Sequence, residues 1–356
     1  MPFFISMTRN KIMINAKIKR YLKTLTGSKF GFALPKLGLV NYAKGFILPR
    51  SSTVKASSCL PVLLSLSVTT RCNLNCSFCV GDKSIEGVNT DMSAEFVNKL
   101  LNLKISKGLL IAGLTGGEPL LNKEIFEIIK TIKKRKLRCG MITNGTLLNI
   151  ENVFALLKAG VDEIQLSVYD NTIEKLKEVI PGISKKITVN ASYVLLKSVL
   201  EQNPNRPLEI INFCKNIGCN SVKFNICQPY KGETSETIFD DFTAYADFVS
   251  KNKKKNFGID VFYPAAVKRE IKNKKDKKCL IPWQQLLVNA AGAYTMCCDF
   301  YGRNEDPAMR GNIFDANAGN TPELVDIRKK LLSDNCEVHK YCKNCPMLSG
   351  AFASRL

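Results

Sequence analysis

Val62-Leu63-Leu64-Ser65-Leu66-Ser67-Val68-Thr69 runs straight into Thr70-Arg71-Cys72-Asn73-Leu74-Asn75-Cys76-Ser77-Phe78-Cys79. The first stretch is apolar, ends in β-branched residues and reads as a strand. The loop that follows carries three cysteines, separated by three and then by two residues, and can wrap around one metal centre. A zinc site would ordinarily want four ligands, commonly as two cysteine pairs, and no fourth ligand lies nearby. Three thiolates on a four-iron, four-sulfur cluster instead leave one iron without a protein ligand, open to a chelating substrate.

Downstream, strand-like runs recur at Leu109–Leu114, Cys139–Thr143, Glu163–Val168, Ile187–Tyr193 and Ser221–Ile226. Helix-like stretches separate them, and Ile125, Phe126, Ile128, Ile129 and Ile132 give the cleanest amphipathic spacing. Six strand–helix units predict an α/β fold: a parallel sheet with right-handed crossovers, closed or partly closed into a barrel. Such a sheet gathers reactive residues on loops at the C-terminal ends of its strands. The cysteine loop follows the first strand, and Leu114-Thr115-Gly116-Gly117-Glu118-Pro119-Leu120 follows the second. Paired glycines let backbone approach a ligand closely, and a turn there turns N–H and C=O groups toward a zwitterion. Alone, it would be an ordinary strand-to-helix turn.

Three regions are expected. Residues 1–58 form a leader in which Ile14, Ile18, Tyr21, Leu22 and Leu25 recur at helical spacing among Lys17, Lys19, Arg20 and Lys23. This basic amphipathic helix packs on its own domain or makes peripheral contact with a membrane surface. Residues 59–256 form the barrel. Residues 257–356, where the alternation breaks down, form a small second domain with a hairpin at Gln285–Asn289, Ala291-Gly292 and Tyr294–Cys298.

The chain has 356 residues, is 45% hydrophobic, carries 14 cysteines and has a formal net charge of +21. No apolar run approaches the roughly 20 residues of a membrane span. The first residues lack the pattern of a secretory signal, so a cytoplasmic location is expected. Reduced thiols there favour metal or redox chemistry over disulfides. The lysines of 251–255 and 272–278 are not interleaved with aromatics, so they read as solvated helix faces and no specific nucleic-acid partner is expected. The competing class is a zinc-stabilised, basic nucleic-acid-binding protein, which leaves the three-cysteine loop unexplained. With His339 the single histidine, acid–base work near a substrate falls to Asp, Glu, Tyr, Lys or Cys.

The Cys72, Cys76, Cys79 loop, with Phe78 before its last cysteine, resembles the radical S-adenosylmethionine (SAM) family. Gly116-Gly117-Glu118-Pro119 resembles that family's motif for the amino group of SAM. Thr143-Asn144-Gly145-Thr146 and Gln165-Leu166-Ser167-Val168-Tyr169-Asp170 fall where family members place polar contacts to the cofactor. Val189-Asn190-Ala191-Ser192 and Lys223-Phe224-Asn225 resemble its later strands less specifically. The resemblance covers about residues 60–230 and implies a partial (β/α)6 barrel. It implies a cluster on Cys72, Cys76 and Cys79, with SAM contacts at Phe78, Gly116, Gly117, Glu118, Pro119, Asn144 and Ser167. It further implies reductive cleavage of SAM to a 5′-deoxyadenosyl radical that oxidises or rearranges a substrate, with electrons from a flavodoxin or ferredoxin type of reductant.

Towards the C-terminus, Cys279, Gly292, Cys297 and Cys342-Lys-Asn-Cys345 resemble the auxiliary-cluster extension called twitch, the short form of the SPASM domain. The resemblance assigns Cys279, Cys297, Cys342 and Cys345 to a second four-iron, four-sulfur cluster, closed to substrate and accepting an electron from the substrate radical. Cys298 and Cys336 stand as alternatives for one of these ligands, and a zinc site on the cysteine pairs stands as the alternative metal. Cys59, Cys139, Cys214, Cys219 and Cys227 read as core residues. A sugar-like or lipid-linked small molecule is the favoured substrate, since residues 1–58 show no peptide-binding winged helix. A ribosomally made peptide is the alternative.

Overall fold

All six strand-like runs are strands in the computed structural model: β1 Leu63–Ser67, β2 Ile111–Thr115, β3 Arg138–Thr143, β4 Glu163–Ser167, β5 Thr188–Leu195 and β6 Ser221–Ile226. The structure describes residues 56, 61–79, 90–227, 234–264, 266–267, 279, 281–300, 311–333, 338–342 and 345. The basic helix expected in the leader, the lysines of 272–278, Cys59 and Cys336 lie outside these residues. Three more strands follow: β7 Asp260–Phe262, β8 Gln285–Asn289 and β9 Tyr294–Thr295.

One sheet holds all nine strands, in the order β7-β6-β5-β4-β3-β2-β1-β8-β9. Every pair is parallel except the β8–β9 hairpin. The sheet is open: β7 and β9 are its edges and do not meet. Two features depart from the sequence reading. The alternation expected to end at residue 256 continues through β7, whose three residues are too few to show a period. The hairpin forms at the expected residues, with Gly292 at φ 85° in its turn, and β8 lies against β1 along its whole length, Leu63 opposite Gln285 and Ser67 opposite Asn289. The C-terminal region thereby extends the barrel sheet.

Among the described residues, helices cover one face. They are α1 Ala94–Leu101, α2 Ile125–Lys134, α3 Ile150–Ala159, α4 Ile173–Ile183, α5 Lys197–Gln202, α6 Arg206–Asn216, α7 Thr243–Asn252, α8 Ile281–Gln284 and α9 Pro322–Leu332. Leu64, Leu66, Ala112, Leu114, Met141, Ile164, Leu166, Val189, Ala191, Val222 and Phe224 point into the helix-covered core and are buried. α2 buries Ile125, Ile128, Ile129 and Ile132 there, each stabilising by about 1.5–3 kcal/mol relative to exposure. Lys251, Lys253, Lys254 and Lys255, at the end of α7, are exposed, as solvated positions should be. Among the described residues no helix is long and apolar enough to cross a membrane.

The opposite face is half-exposed and polar. Strand register places Ile142, Gln165, Asn190, Ser221 and Asp260 in one row across β3 to β7. Ser167, Ser192, Lys223 and Phe262 form the next row towards the strands' C-terminal ends. Ser221 Oγ donates to Asn190 Oδ1 at 2.8 Å, and Asn225 Nδ2 donates to Ser192 Oγ at 2.7 Å. A parallel sheet buried on both faces would give continuous apolar strands; this one alternates because one face stays wet.

Candidate functional site

At the C-terminal edge, the cysteine loop leaves β1 and is held against the turn after β2. Gly117 N–H donates to Thr69 O and Glu118 N–H to Arg71 O, each at 2.8 Å. The reason for the paired glycines lies in this contact. A Cβ on Gly117 would sit 2.0 Å from Arg71 O, and one on Gly116, at φ 122°, would sit 2.4 Å from Thr69 O. The glycines admit the backbone of the cysteine loop, where the sequence suggested close approach to a ligand. Arg71 pairs with Asp91 and donates to Leu121 O, and buried Asn122 donates to Val68 O and Met92 O at 2.7 and 2.9 Å.

Glu118 is fully buried. Its carboxylate accepts from Thr143 Oγ1 and Asn144 N–H, both at 2.8 Å, and from Leu120 N–H at 3.2 Å. Burial pushes its pKa up, and these three donors offset part of that rise. Its work is to lock the β2 and β3 exits together. Asn144 completes the link: Nδ2 donates to Asn73 Oδ1 at 2.9 Å, and Oδ1 accepts from Thr146 N–H and Oγ1 at 2.9 and 2.6 Å. Asn73 in turn donates to Thr146 Oγ1 at 2.7 Å. Asn73 and Thr146 lie within the quoted sequence stretches, but nothing local to them announces that they meet each other and Asn144. Asn144→Ala removes these side-chain bonds, worth about 0.5–1.5 kcal/mol each. The expected result is a modest fall in thermal midpoint together with faster loss of iron to a chelator, and Asn144→Asp, which keeps Oδ1, should restore part of both.

β4 ends in Ser167, half-buried, and Tyr169 follows it. The Tyr169 ring stacks on Phe78, with centroids 5.9 Å apart and planes at 26°. Burial pushes the pKa of its hydroxyl up, with the charge of the Cys76 sulfur adding to the rise. Asp170 accepts from Arg206 Nη2 at 2.7 Å and from Tyr193 Oη at 3.3 Å, which fixes the turn. The sequence carries Tyr169 only within the Gln165–Asp170 stretch, with Ser167 as its singled-out residue.

Cys72 Sγ accepts from Leu74 N–H at 3.4 Å, and Cys79 N–H donates to Cys76 O at 3.2 Å. Cys72 and Cys76 are half-buried, Cys79 is exposed, and none of the described cysteines is in a disulfide. Among the described residues, no three His, Cys, Asp or Glu side chains converge on a point where one metal ion could sit. A four-iron cube has separate corners, so its thiolates need not converge. The donor set, soft thiolates on one rim loop with Leu74 N–H directed at the Cys72 sulfur, fits such a cluster.

Cys297, Cys342 and Cys345 share a second neighbourhood. Cys297 follows β9, and its N–H donates to Thr295 Oγ1 at 3.3 Å. Cys345 N–H donates to Cys342 O at 3.3 Å, and Cys342 N–H to His339 O at 2.8 Å. The turns bearing Cys297 and Cys342 meet through Phe300, whose ring lies 4.8 Å from His339 and 5.3 Å from Tyr341. His339 is thereby an aromatic packing partner. Cys279, Cys297 and Cys342 are half-buried, Cys345 is buried and Cys298 is exposed. Cys139, Cys214 and Cys219 are buried in the barrel core, as expected, and Cys227 is half-buried beyond β6.

The family model of the radical SAM superfamily matches residues 66–240. GTP 3′,8-cyclase of Aliarcobacter butzleri is 27% identical over 319 residues, covering 78% of this chain and 91% of that one. Other relatives match over less: a probable GTP 3′,8-cyclase of Pyrococcus abyssi is 28% identical over 194 residues, 50% of this chain and 61% of its own length. PqqA peptide cyclase of Granulibacter bethesdensis is 30% identical over 119 residues, covering 33% of this chain and 32% of its own. Among solved structures, Streptococcus suis SuiB bound to precursor peptide SuiA superposes on 96% of this chain and 82% of its own, with a TM-score of 0.60 at 15% identity. That likeness concerns the fold.

Proposed function

We propose, on the footing that this chain belongs to the radical SAM superfamily, that it holds a four-iron, four-sulfur cluster on Cys72, Cys76 and Cys79 and cleaves SAM reductively to act on a polar organic substrate. One observation carries the reading. The three-cysteine loop, the Gly116–Pro119 turn and the Asn144 turn interlock at one end of the sheet, through Gly117 N–H to Thr69 O and Asn144 to Asn73. When bound, cluster and SAM supply a 5′-deoxyadenosyl radical that removes a hydrogen atom from the substrate. The chain's own part is to bind, orient and exclude. Gly116, Gly117 and Pro119 present backbone beside the cysteine loop, Glu118 keeps that turn in place, and Phe78, Asn144 and Ser167 frame the cofactor. We assign Cys279, Cys297, Cys342 and Cys345 to an auxiliary cluster that takes up the substrate's electron, and a flavodoxin or ferredoxin as the outside reductant.

For the substrate we favour a hydrogen-bonding small molecule of sugar-like polarity. Support comes from the half-exposed face bearing Gln165, Asn190, Ser192, Lys223 and Asn225, where polar side chains alternate with the buried core. A lipid tail would find little there. The second reading is a peptide substrate. It is supported by the relative named PqqA peptide cyclase and by the fold shared with SuiB, which is bound to its precursor peptide.

Iron, sulfide and zinc per chain on anaerobically purified protein test the cluster assignment. About eight irons, falling to about four in Cys72→Ala/Cys76→Ala/Cys79→Ala, is the expected result, with SAM cleavage to 5′-deoxyadenosine abolished. Zinc in place of iron, or iron unchanged by the triple substitution, would sink the reading. Stimulation of 5′-deoxyadenosine formation by a dialysable cell fraction supports the small molecule. Stimulation by a retained, protease-sensitive fraction supports the peptide.

A further inference from the structure

We propose that the N-terminal edge of the sheet, the end opposite the cysteine loop, is a docking surface for an anionic lipid bilayer. Each helix between parallel strands returns the chain to that edge, so the loops there begin where helices end. Those loops are rich in lysine. Lys104 and Lys107 follow α1, Lys134 ends α2 and Lys136 follows it. Lys185 and Lys186 follow α4, and three consecutive lysines from Lys253 follow α7. All are exposed, and none forms an ion pair with a described carboxylate. The acids of this edge are already engaged. Asp162 holds Lys133 at 2.6 Å and Glu163 holds Arg138 at 2.7 Å, leaving Asp260 as the one exposed acid there among the described residues. The C-terminal edge differs: Arg71, Lys197 and Arg206 each face a carboxylate, of Asp91, Glu201 and Asp170 respectively.

Helix dipoles account for only part of this pattern. A cation in a last helical turn complements the dipole, but Lys104, Lys107, Lys185 and Lys186 lie beyond the last turns of α1 and α4. Lys136 sits at φ 59°, where glycine would relax the backbone, so the chain keeps a cation at a strained turn. The arc from β2 to β7 is about 24 Å long, at about 4.8 Å per strand. A charge reaches only about 8 Å in physiological salt, so lysines at the two ends of the arc need different anions. That calls for an extended polyanion and not a small one. Lysine is a point charge without the planar fork that reads a nucleotide. Half-buried Phe257 is the one aromatic in these loops, so no base-stacking platform accompanies the charge. A bilayer asks only for a broad positive field near its surface. Docked this way, the cysteine-loop edge faces away from the lipid.

The test uses the full chain and vesicles of phosphatidylcholine, with or without about one-third phosphatidylglycerol. Sedimentation measures the partition coefficient, a readout that does not depend on the cluster assignment. Wild-type protein should bind the anionic vesicles at about 0.15 M salt, leave them towards about 1 M, and ignore pure phosphatidylcholine. Each lysine near the surface is worth about a fivefold change in partition, so Lys136→Gln/Lys185→Gln/Lys254→Gln should weaken binding about a hundredfold. Lys123→Gln/Lys175→Gln/Lys197→Gln removes the same charge from elsewhere and should leave binding close to wild type. Far-UV circular dichroism should be unchanged in both. Equal weakening by the two triples would show that net charge, and not this edge, holds the protein to lipid, and would overturn the proposal. So would undiminished binding by the first triple, equal binding to uncharged vesicles, or no binding to anionic ones. A single-stranded oligonucleotide held at about 0.15 M salt in preference to the anionic vesicles, and released by the first triple, would assign the edge to nucleic acid and overturn it as well.

Discussion

Gly117→Ala should abolish iron binding at the first cysteine loop while leaving the sheet folded. The added Cβ would lie 2.0 Å from Arg71 O, 2.5 Å from Arg71 C and 3.1 Å from Cys72 Cβ. The first two are backbone atoms and cannot swing aside. Relief requires separating the loop from the turn, which breaks Gly117 N–H to Thr69 O and Glu118 N–H to Arg71 O. Overpacking costs about 1–3 kcal/mol, and each lost hydrogen bond adds about 1 kcal/mol. A domain with a margin of about 5–15 kcal/mol survives that loss, but Cys72 moves with Arg71. The measurement is iron per chain beside far-UV circular dichroism: about four irons lost with the spectrum unchanged. Gly182→Ala is the matched control, because nothing lies within 4 Å of its Cβ position, and it should keep full iron. Wild-type iron in Gly117→Ala would show that the loop does not depend on this contact.

The strands were legible because the sheet is dressed on one side only. Leu64 and Leu66 bury while Leu63 and Ser65 stay half-exposed, and the same alternation runs from Thr188 to Leu195. Local pattern cannot report partners far away in the chain, and the misses follow that line. β8 was found as a hairpin strand, but nothing near Gln285 announces that it pairs with Leu63. Gly116 and Gly117 were flagged for close approach, yet the backbone they admit lies more than 40 residues earlier. Asn73 meets Asn144 and Thr146 across 71 and 73 residues. The cysteine spacing was legible because all three residues of the first group sit in one loop. The C-terminal group is spread from 279 to 345, and its neighbourhood depends on Phe300 meeting His339 and Tyr341.

Arg328→Met should cost about 2–4 kcal/mol and loosen the C-terminal cysteines. Arg328 is fully buried on α9. Its Nε and Nη2 donate to Pro282 O at 3.0 and 2.9 Å, and Nη1 donates to Asn320 Oδ1 at 2.9 Å and Ala56 O at 3.3 Å. The guanidinium also lies over the Trp283 ring, 5.7 Å from its centroid. One side chain therefore ties α9 to the chain ahead of β1 and to the segment between Cys279 and β8. Methionine keeps the apolar stem but leaves Pro282 O buried without its two donors, and that desolvation dominates the cost. Arg328→Lys should recover less than half of it, since a compact ammonium cannot reproduce a planar fork spanning three acceptors. Anaerobic denaturant midpoints measure the stability, and iron per chain reports the auxiliary site. A large fall in midpoint with about four irons lost, and with the SAM-sensitive EPR signal retained, would tie Arg328 to the proposed C-terminal cluster. Equal midpoints for Met and wild type would mean that the packing of α9 against Trp283, and not the hydrogen-bonded fork, holds this end of the sheet.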